Sequence, residues 1–413
     1  LTTTREIPEI AGGNWLRGKK LFFDKATCSR CHAMRGEGGI AGVDLSNLSQ
    51  RDYASVVRDI REPGAALNPD RLAFNVEPKD GPAFAAVLIG EDKGTLQLAD
   101  ATGALKSLPR TAIKSMEALP TSLMPPGLLK ALTPAEQRDL LTYLLIPALE
   151  PAPLEAANPP PPRKRAEVEA LLKSTGASPE SKIQNSKFKI VLCAGPKDHG
   201  RGEHDYPLWQ KRWSRLLAMA DGVEVGTAWQ WPSEEQWKTA DVIAFFSNNP
   251  DWNANTAPQF DAFLARGGGA VFFHFAVDGH AHGPELAERI GYAIAKSACK
   301  FRHGPVDFTL LPHPLIQGFP PLHLVDETYW NLVGDPAGVQ LIASAPEDGE
   351  ERPQIWTREH GGGRVFVSVP GHYNWTFDDP FYRLLAFRSL CWVARQPIDR
   401  LSELITIGAR IEP

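Results

Sequence analysis

The stretch ATCSRCHAM holds Cys28 and Cys31 with two residues between them, and His32 follows at once. A thioredoxin-like pair would follow a strand of a βαβ unit, but here a helical pattern precedes the motif. A zinc site would need a second pair of ligands at suitable spacing, and no second C-x-x-C occurs in the sequence. A disulfide would leave the adjacent histidine unexplained. The motif therefore predicts a covalent c-type haem, with two thioether bonds and His32 as the proximal iron ligand.

A haem iron that carries electrons usually has a sixth ligand, and a methionine thioether in that position raises the reduction potential. The chain has only four methionines. Met34 lies too close to His32 to reach the opposite haem face, and Met219 belongs to the second half of the chain. Met124 precedes two prolines in SLMPPGLLK, which would restrain the loop that holds a weak ligand. We predict Met124 as the axial ligand and Met116 as a packing residue.

The other three cysteines, Cys193, Cys299 and Cys391, are isolated in apolar or strand-like surroundings. The odd total of five cysteines argues against a disulfide framework. We expect Cys193 and Cys391 to pack in the core, and we expect burial to keep all three thiols inert.

The composition is that of a soluble globular protein, with 413 residues, 43% hydrophobic and 23% charged. This length predicts two domains. A net charge of −5 gives no electrostatic case for nucleic acid, and no apolar run is long enough for a membrane span. The start, LTTTREIPEI, lacks the features of a signal peptide. Because the first residue is Leu, we expect a trimmed chain.

The first 146 residues combine helical patterns with a β-meander. Helical spacing covers 14–24, 52–61 and 134–146, with Asp52 and Thr133 as caps. Short apolar runs separated by Gly and Asp predict the meander over 83–113. The segment PALEPAPLEAANPPPPRKR then favours an extended, semi-rigid spacer. We predict a haem domain over 1–146, a linker over 147–186, a second domain over 187–397 and a tail over 398–413.

The second half alternates buried strands with helices, which predicts a parallel sheet covered on both faces. Ligands on such sheets bind beyond the carboxyl ends of the strands. The expected strands span 187–195, 223–229, 241–247, 269–276, 306–311, 339–345, 353–359 and 363–371, and the expected helices span 206–220, 257–267, 284–292 and 378–396.

Histidines and carboxylates collect just after these strands. Imidazole and carboxylate together suit a divalent metal or acid–base work near neutral pH. The residues concerned are His199, His204, His274, His280, His282, Asp326, Glu327 and His372. From this set we predict a metal site at His199, His274, Glu327 and His372, with His204, His274, Glu327 and His372 as catalytic residues. Nearby aromatics, which could stack on sugar rings or pack in the core, are Tyr206, Trp209, Trp252, Tyr329, Trp330, Tyr373 and Trp375.

Residues 12–146 resemble class I cytochrome c domains, and more closely the haem-binding modules common in planctomycete and verrucomicrobial proteins. The resemblance rests on GKKLFFDKATCSRCHAMRGEGGIAGVDLSNLSQR, VVRDIREPGAAL and SLMPPGLLKALTPAEQRDLLTYLL. It implies a mainly α domain with a small β insert, ligation by His32 and Met124, and electron transfer. One departure is Val43, where the family usually has Pro.

Residues 187–396 resemble the trehalose-utilisation (ThuA-like) family, within the class I glutamine-amidotransferase-like superfamily. The resemblance rests on GEHDYP, DVIAFFSNN, FLARGGGAVFFHFA, LLPHPLIQGFP, DETYWNL and RPQIWTREHGGGRVFVSVPGHYNW. It implies a three-layer, flavodoxin-like α/β domain that is involved with carbohydrates. His274 stands where glutamine amidotransferases have their nucleophilic cysteine, so glutaminase activity is not expected.

Two functional hypotheses of different classes follow. In the first, the chain is a haem-linked oxidoreductase in which the α/β domain oxidises a carbohydrate and the haem removes electrons. No G-x-G-x-x-G follows a strand, so a nicotinamide or flavin site is not expected. In the second, the chain is a non-enzymatic electron carrier whose α/β domain binds a glycan or a partner dehydrogenase. A weaker third hypothesis is a metal-dependent hydrolase or isomerase.

The expected partners are a redox partner protein, either a dehydrogenase or an electron acceptor, and a carbohydrate ligand. Because bacterial maturation joins haem to thiols outside the cytoplasmic membrane, we expect a periplasmic or exported protein.

Overall fold

The structure is a computed structural model that describes residues 7–147, 149–175, 187–249, 251–295 and 298–412. The chain divides into a first unit, Leu1–Ala148, and a second unit, Leu149–Pro413. The sequence start at 1–6 and the 176–186 part of the expected linker lie outside the described residues. No helix among the described residues is long and apolar enough to cross a membrane.

The α-helices in the described part of the first unit lie close to the positions that the sequence predicts. They are α1 Trp15–Phe23, α2 Tyr53–Arg61 and α3 Pro134–Leu145. Asp52 caps α2, and Thr133 and Glu136 form a complete capping box at the start of α3. Helices α1 and α3 pack closely at Gly18, where a Cβ would lie 2.0 Å from the Asp139 carbonyl oxygen.

The first unit also contains two antiparallel sheets. The strands are β1 Ala33–Met34, β2 Glu37–Gly38, β3 Ala73–Pro78, β4 Phe84–Asp92, β5 Thr95–Asp100, β6 Leu105–Pro109 and β7 Ile113–Ala118. The larger sheet has the order β6-β5-β4-β3-β7 and buries Val76, Ala86, Leu96 and Leu98. The meander expected over 83–113 therefore forms part of a larger sheet, since β3 lies before that range and β7 extends beyond it. The first unit is a mixture of helix and sheet rather than mainly α.

The second unit is built on a nine-stranded sheet. Its strands and two short flanking strands are β8 Phe188–Ala194, β9 Val223–Trp229, β10 Val242–Phe246, β11 Gly269–Phe273, β12 Tyr292–Ala293, β13 Lys300–Leu310, β14 Leu322–Trp330, β15 Val333–Gly334, β16 Val339–Glu347, β17 Glu350–His360 and β18 Gly363–Ser368. The sheet order is β14-β13-β16-β17-β18-β11-β10-β8-β9. Five neighbouring strands of this sheet, β18, β11, β10, β8 and β9, are parallel and follow the flavodoxin-like order.

The helices of the second unit are α4 Arg165–Ser174, α5 Tyr206–Leu217, α6 Glu234–Thr239, α7 Ala257–Ala265, α8 Gly283–Ile290 and α9 Pro380–Val393. Trp213 of α5 packs on Phe387 of α9. On α8, Arg289 bonds Asp261 of α7. Nearly every residue of α9 is buried, which explains why its apolar residues do not follow one helical stripe.

Four strands, β13, β14, β16 and β17, run antiparallel to their neighbours, so the expectation of a parallel sheet holds for only part of it. The chain between these strands is too short for a helical crossover. The β16–β17 turn, for example, is Asp348–Gly349, with both residues at positive φ. Strand β14 was not expected, because its sequence LHLVDETYW resembles a polar loop.

The proline-rich segment packs onto the second unit, although a spacer was expected there. Leu149 and Ala152 are buried, and the Ala152 amide donates to Asp378 Oδ2 at 2.5 Å. Arg163 pairs with Asp379 at 2.7 Å. The segment that was expected to be a tail also packs on α9. Arg383 of α9 donates to the carbonyl oxygens of Ile405 and Ile407, which belong to that segment. Proline prevents a helix here, but it leaves an extended chain free to pack.

A buried ion pair joins these peripheral segments to α9, and its removal should destabilise the second unit. Asp378 accepts from Arg383 at 2.6 Å and from Arg212 at 2.8 Å, and Asp378 and Arg383 are fully buried. We expect Asp378→Asn to leave the Arg383 charge uncompensated and to lower the free energy of unfolding by about 3–5 kcal/mol. Urea denaturation, followed at the transition in which the second unit unfolds, measures this free energy.

The matched control is Glu234→Gln, which removes an exposed pair with Lys238 at 3.6 Å on α6. We expect this change to alter the free energy of unfolding by less than about 0.5 kcal/mol. Equal effects of the two substitutions would contradict a stabilising role for the Asp378 pair.

Candidate functional site

The first unit encloses a cavity of about 850 Å³, which lies within the size range of cofactor sites. Its lining includes Cys28, Cys31, His32 and Met124, the residues that the sequence predicts for a haem. Apolar side chains complete the wall, among them Val56, Ile60, Leu128, Leu129, Leu140 and Leu144. The structure therefore brings the four predicted haem residues to one cavity.

His32 is held with one ring nitrogen available. Its Nδ1–H donates to the Val43 carbonyl oxygen at 2.8 Å, which leaves the lone pair on Nε2. Gly42 packs against the ring, where a Cβ would lie 2.5 Å from His32 Cε1. Burial lowers the pKa of His32, so the ring is neutral at neutral pH. A neutral imidazole with a lone pair on Nε2 is the form that can bind iron.

The two cysteines and Met124 also suit covalent haem. Cys28 begins a 3₁₀ turn, Cys28–Arg30. The carbonyl oxygen of Cys28 accepts a hydrogen bond from the His32 amide at 2.9 Å. Burial raises the pKa of Cys28 to about 11, so its sulfur is a thiol at neutral pH. Met124 lies on a loop between β7 and α3, whereas Met116 on β7 packs against the sheet core. The donor set fits a haem bound through two thioethers.

A second cluster lies at the carboxyl ends of the parallel strands in the second unit. His204 follows β8, His274 directly follows β11, and His372 follows β18, while Glu327 lies on β14. We call these four residues the donor cluster. All four are buried, although histidine and glutamate are usually exposed or only partly buried.

The donor atoms of the cluster converge on a common point. His204 Nε2 lies 2.8 Å from His274 Nε2 and 3.0 Å from His372 Nδ1. Glu327 Oε2 lies 3.2 Å from His274 Nε2 and 3.0 Å from His372 Nδ1. Three imidazole nitrogens and one carboxylate oxygen at these separations are the donor set that zinc and other first-row transition metals take.

Hydrogen bonds on the outer side fix the tautomers of two rings. The Nδ1–H of His274 donates to the Val369 carbonyl oxygen at 2.7 Å, and His204 Nδ1 lies 2.9 Å from Asp198 Oδ1. Each ring therefore directs an unprotonated Nε2 at the other. A shared cation would satisfy both lone pairs, and the Tyr329 hydroxyl also lies 3.0 Å from His274 Nε2.

The protonation states favour a cation as well. Burial lowers the pKa of His204 to about 3, so the ring stays neutral at neutral pH. Burial of Glu327 favours its neutral form, but the neighbouring His274 and His372 rings outweigh this and hold the pKa of Glu327 below its usual range. Neutral imidazole and ionised carboxylate are the forms that bind metal.

The backbone that presents the cluster is strained and tightly bonded. His204 and His274 have positive φ values of 40° and 53°, which are uncommon for residues other than glycine and occur often at functional sites. The His204 amide donates to the His372 carbonyl oxygen at 2.9 Å. Asp326 Oδ1 accepts from the amides of Gly371 and His372 at 3.0 Å each. These bonds hold the β8 and β18 loops in register.

The structure brings His204 into the donor cluster, whereas the predicted His199 belongs to a neighbouring group with Asp198 and His204. His199 is half-exposed, its ring is tilted against that of His204 with the centroids 3.6 Å apart, and its Nδ1 lies 2.9 Å from Asp198 Oδ1. His280 and His282 lie outside the cluster and pair with Asp278 and Glu285. Histidines spaced a few residues apart look equivalent in the sequence, whereas the turn after β8 directs only one of them inward.

Three residues around the cluster were missed or assigned another role. Tyr329 was considered for sugar stacking, but its hydroxyl donates to Glu327 Oε2 at 3.1 Å. His303 on β13 lies 3.3 Å from Glu327 Oε1, and Asp198 orients His204. His303 is opposite Glu327 in the β13–β14 pairing, so finding it required strand β14.

The aromatic residues considered for sugar stacking are mostly core residues. Tyr206, Trp209, Trp252, Tyr329, Trp330 and Trp375 are buried, and of the seven candidates only Tyr373 is partly exposed. Cys193 and Cys391 are buried, as expected, whereas Cys299 is only partly buried. Burial raises the pKa of Cys299 to about 12, so that thiol stays protonated at neutral pH.

The flavodoxin-like sheet and the donor cluster define the second unit as an α/β domain with a candidate metal centre. Residues 200–393 match the family model of ThuA, described as trehalose utilisation. The chain therefore carries a ThuA-like domain, and the match includes all four residues of the donor cluster.

Solved ThuA-like structures are similar to this chain at low identity. A ThuA-like protein of Parabacteroides merdae is 19% identical, with a TM-score of 0.40, over 51% of this chain and 90% of that chain. A ThuA-like protein of Bacteroides uniformis is 18% identical, with a TM-score of 0.42, over 54% of this chain and 99% of that chain. No curated protein matches the chain.

Loss of one inner donor should abolish tight metal binding. We expect the wild-type chain to hold about one transition-metal ion in the second unit. We expect His274→Ala to weaken the affinity by more than about 100-fold, since changes to residues that only orient ligands already cost about 10- to 100-fold. Competition with a chromophoric zinc chelator measures the affinity.

The control is His282→Ala, which removes a half-exposed histidine of the same loop whose partner, Glu285, is 3.8 Å away. We expect wild-type affinity in this variant. An equal loss in both variants would contradict the assignment of the donors.

Proposed function

We propose that this protein is a metal-dependent, haem-linked oxidoreductase acting on carbohydrates. The second unit binds a transition-metal cation at the donor cluster and acts on the carbohydrate there, and the first unit binds one covalent haem c. The observation that carries the proposal is the convergence of His204, His274, His372 and Glu327, with donor atoms 2.8–3.2 Å apart in a buried site.

Two observations support carbohydrate as the substrate class and a metal as the catalyst. The family that matches residues 200–393 is described by trehalose utilisation. The donor set of imidazole and carboxylate suits iron, copper, manganese and zinc, of which the first three change oxidation state. The two carboxylate oxygens of Glu327 face different groups. Oε2 faces the histidines of the donor cluster, and Oε1 lies 3.3 Å from half-exposed His303.

The haem part of the proposal rests on the first unit's cavity. Cys28 and Cys31 would form the thioethers, His32 Nε2 would ligate the iron, and Met124 would take the sixth position. A haem bound there would supply one-electron acceptance. Oxidation of a sugar alcohol to a carbonyl releases two electrons and two protons, so the electrons must leave in two single steps to a redox partner protein.

Location and partners follow from this proposal. Covalent haem attachment in bacteria takes place outside the cytoplasmic membrane, so we place the protein in the periplasm or among exported proteins. The proposed partners are the carbohydrate substrate and a protein that accepts electrons from the haem.

A second candidate function is a metal-dependent hydrolase or isomerase whose haem domain serves another reaction. The closed set of three histidines and one carboxylate favours it, because these donors also suit zinc, which has no redox chemistry. In a third candidate, the second unit only anchors an electron carrier to a glycan or a dehydrogenase. The metal's identity and sugar-dependent haem reduction separate the three functions.

Covalent haem should depend on the cysteine pair. We expect the full chain, expressed with a cytochrome c maturation system, to be red and to keep its haem under denaturing conditions. We expect Cys28→Ala with Cys31→Ala to lose the denaturation-resistant haem completely, because both thioethers are removed. Haem staining of denaturing gels and a pyridine haemochrome spectrum measure this.

Cys299→Ala provides the control, since Cys299 belongs to the second unit, and it should keep wild-type haem content. Absence of covalent haem from the wild-type chain under these conditions would contradict the cytochrome assignment.

Sugar-dependent haem reduction should require the donor cluster. We expect added sugars to reduce the wild-type haem, and we expect Glu327→Gln to slow this by at least about 100-fold, because the carboxylate both binds the cation and faces His303. Stopped-flow absorbance of the ferrous haem band measures the rate. The haem spectrum itself should be unchanged in the variant.

Haem reduction that continues at the wild-type rate in Glu327→Gln would contradict an oxidation at this centre. A wild-type centre that contains only zinc and never passes electrons would favour the hydrolase or isomerase.

A further inference from the structure

The outer ring nitrogen of His372 is an exception within the donor cluster. His204 and His274 each bond an outer partner, Asp198 and the Val369 carbonyl. His372 faces the cluster with Nδ1, so its Nε2 carries the ring proton when Nδ1 binds a cation. This buried Nε2–H has no hydrogen-bond partner among the residues that the structure describes. Such a group is costly to leave unsatisfied and indicates a missing acceptor.

The carboxylate of Glu203 lies close by but does not reach this nitrogen. The distance from His372 Nε2 to Glu203 Oε1 is 3.8 Å, which is too long for a hydrogen bond. Glu203 pairs in an isolated β-bridge with Tyr373, and the Asn374 amide donates to the Gly202 carbonyl at 2.9 Å. The two segments are therefore held side by side.

Gly200, which has no side chain, leaves room for the Glu203 carboxylate. A Cβ at Gly200 would lie 2.8 Å from Glu203 Oε2, so a larger residue there would displace the carboxylate. The Glu203 side chain is 30% exposed, so its carboxylate can contact a ligand from solvent, whereas the His372 ring beside it is buried.

A hydroxyl beside these two groups would satisfy both. One oxygen that lies to one side of the pair, within hydrogen-bond distance of each atom, can accept a hydrogen bond from His372 Nε2–H and donate one to Glu203 Oε1. A carbonyl could only accept, and an ammonium could only donate. The pair of a buried N–H donor and a carboxylate acceptor therefore selects an alcohol oxygen, which water can replace when no ligand is bound.

The surrounding surface is suited to a molecule with several hydroxyls. The Tyr373 ring packs edge-on against His372 at 4.5 Å, and its hydroxyl lies 3.2 Å from His303 Nδ1. Phe301, which is 61% exposed, packs against His303 at 5.7 Å. An exposed apolar ring next to polar groups matches the apolar face and the hydroxyl edge of a pyranose.

We propose that Glu203 and His372 form a hydroxyl-binding subsite that positions a pyranoside beside the metal centre. This inference rests on the proposed function and names the residues that recognise its substrate. Glu203 is a binding residue in this assignment, and His372 has two roles, with Nδ1 facing the cation and Nε2–H facing the sugar.

The test is calorimetric titration of the metal-loaded full chain with methyl glycosides of glucose, galactose and mannose and with trehalose. We expect Glu203→Gln to raise the Kd of the glycoside that binds most tightly by about 10- to 100-fold, the range for a hydrogen bond to a charged group. Glu203→Asp, which withdraws the carboxylate, should weaken binding as well. Both variants should keep wild-type metal content by mass spectrometry.

Monodeoxy derivatives of the same glycoside identify the hydroxyl. One of them should bind the wild-type chain about 10- to 100-fold more weakly, yet lose no further affinity with Glu203→Gln. The control is Glu155→Gln, which removes a nearby carboxylate paired with Arg201 at 2.8 Å, and it should leave the Kd unchanged.

The outcomes separate this inference from the proposed function. If the wild-type chain binds a glycoside and Glu203→Gln binds it equally well, the subsite is wrong while the proposed function remains. If Glu203→Gln loses metal in parallel with sugar, Glu203 only positions His372, and the subsite is again wrong. If the metal-loaded wild-type chain binds none of the glycosides, the carbohydrate function fails and the subsite fails with it.

Discussion

The organisation of the second unit depends on two imidazole nitrogens that face each other, His204 Nε2 and His274 Nε2, at 2.8 Å. Their outer hydrogen bonds to Asp198 and Val369 place the ring protons outside, so two lone pairs meet in a buried site. The Glu327 carboxylate places a further electron-pair donor at the same point. This arrangement suits a bound cation, and it is the main support for the proposed metal centre.

The fold supplies the rigidity that such an arrangement needs. His204, His274 and His372 follow three strands of the parallel part of the sheet, whose carboxyl ends lie at one edge. Glu327 comes from the antiparallel extension, and its neighbour Asp326 bonds the amides of the His372 loop. Two of the donors sit in left-handed backbone conformations that the surrounding bonds must maintain. The antiparallel strands are therefore part of the site and not only an addition to the flavodoxin-like core.

The sequence predicted much of the fold because its signals are local. The caps at Asp52 and Thr133 located helices to within about a residue or two, and continuous apolar runs located the parallel strands. Strand β14 was not predicted because Asp326, Glu327 and Thr328 are polar, and a polar sequence pattern indicates a loop. In the structure these residues are buried. Their burial depends on partners distant in sequence, such as His372 and Glu347. The same dependence explains why the proline-rich segment was expected to be a spacer.

Some residues of the candidate site were predictable from local sequence, and others depended on distant parts of the chain. His274, Glu327, His372 and His204 were predictable because each lies in a loop or strand rich in polar residues near a strand end. The choice between His199 and His204 was not predictable, since it depends on the turn after β8, and His303 required the β13–β14 register. In the first unit, Cys28, Cys31 and His32, the residues predicted for a haem, lie within five positions, so the prediction needed only Met124 from elsewhere.

The central claim, a cation shared by four converging donors, is tested most directly by a crystal structure with anomalous data at the absorption edges of iron, copper, manganese and zinc. The account predicts one anomalous peak in the second unit within about 2.0–2.3 Å of the inner atoms of His204, His274, His372 and Glu327. A well-ordered site without such a peak, in protein incubated with each of these ions, would contradict it.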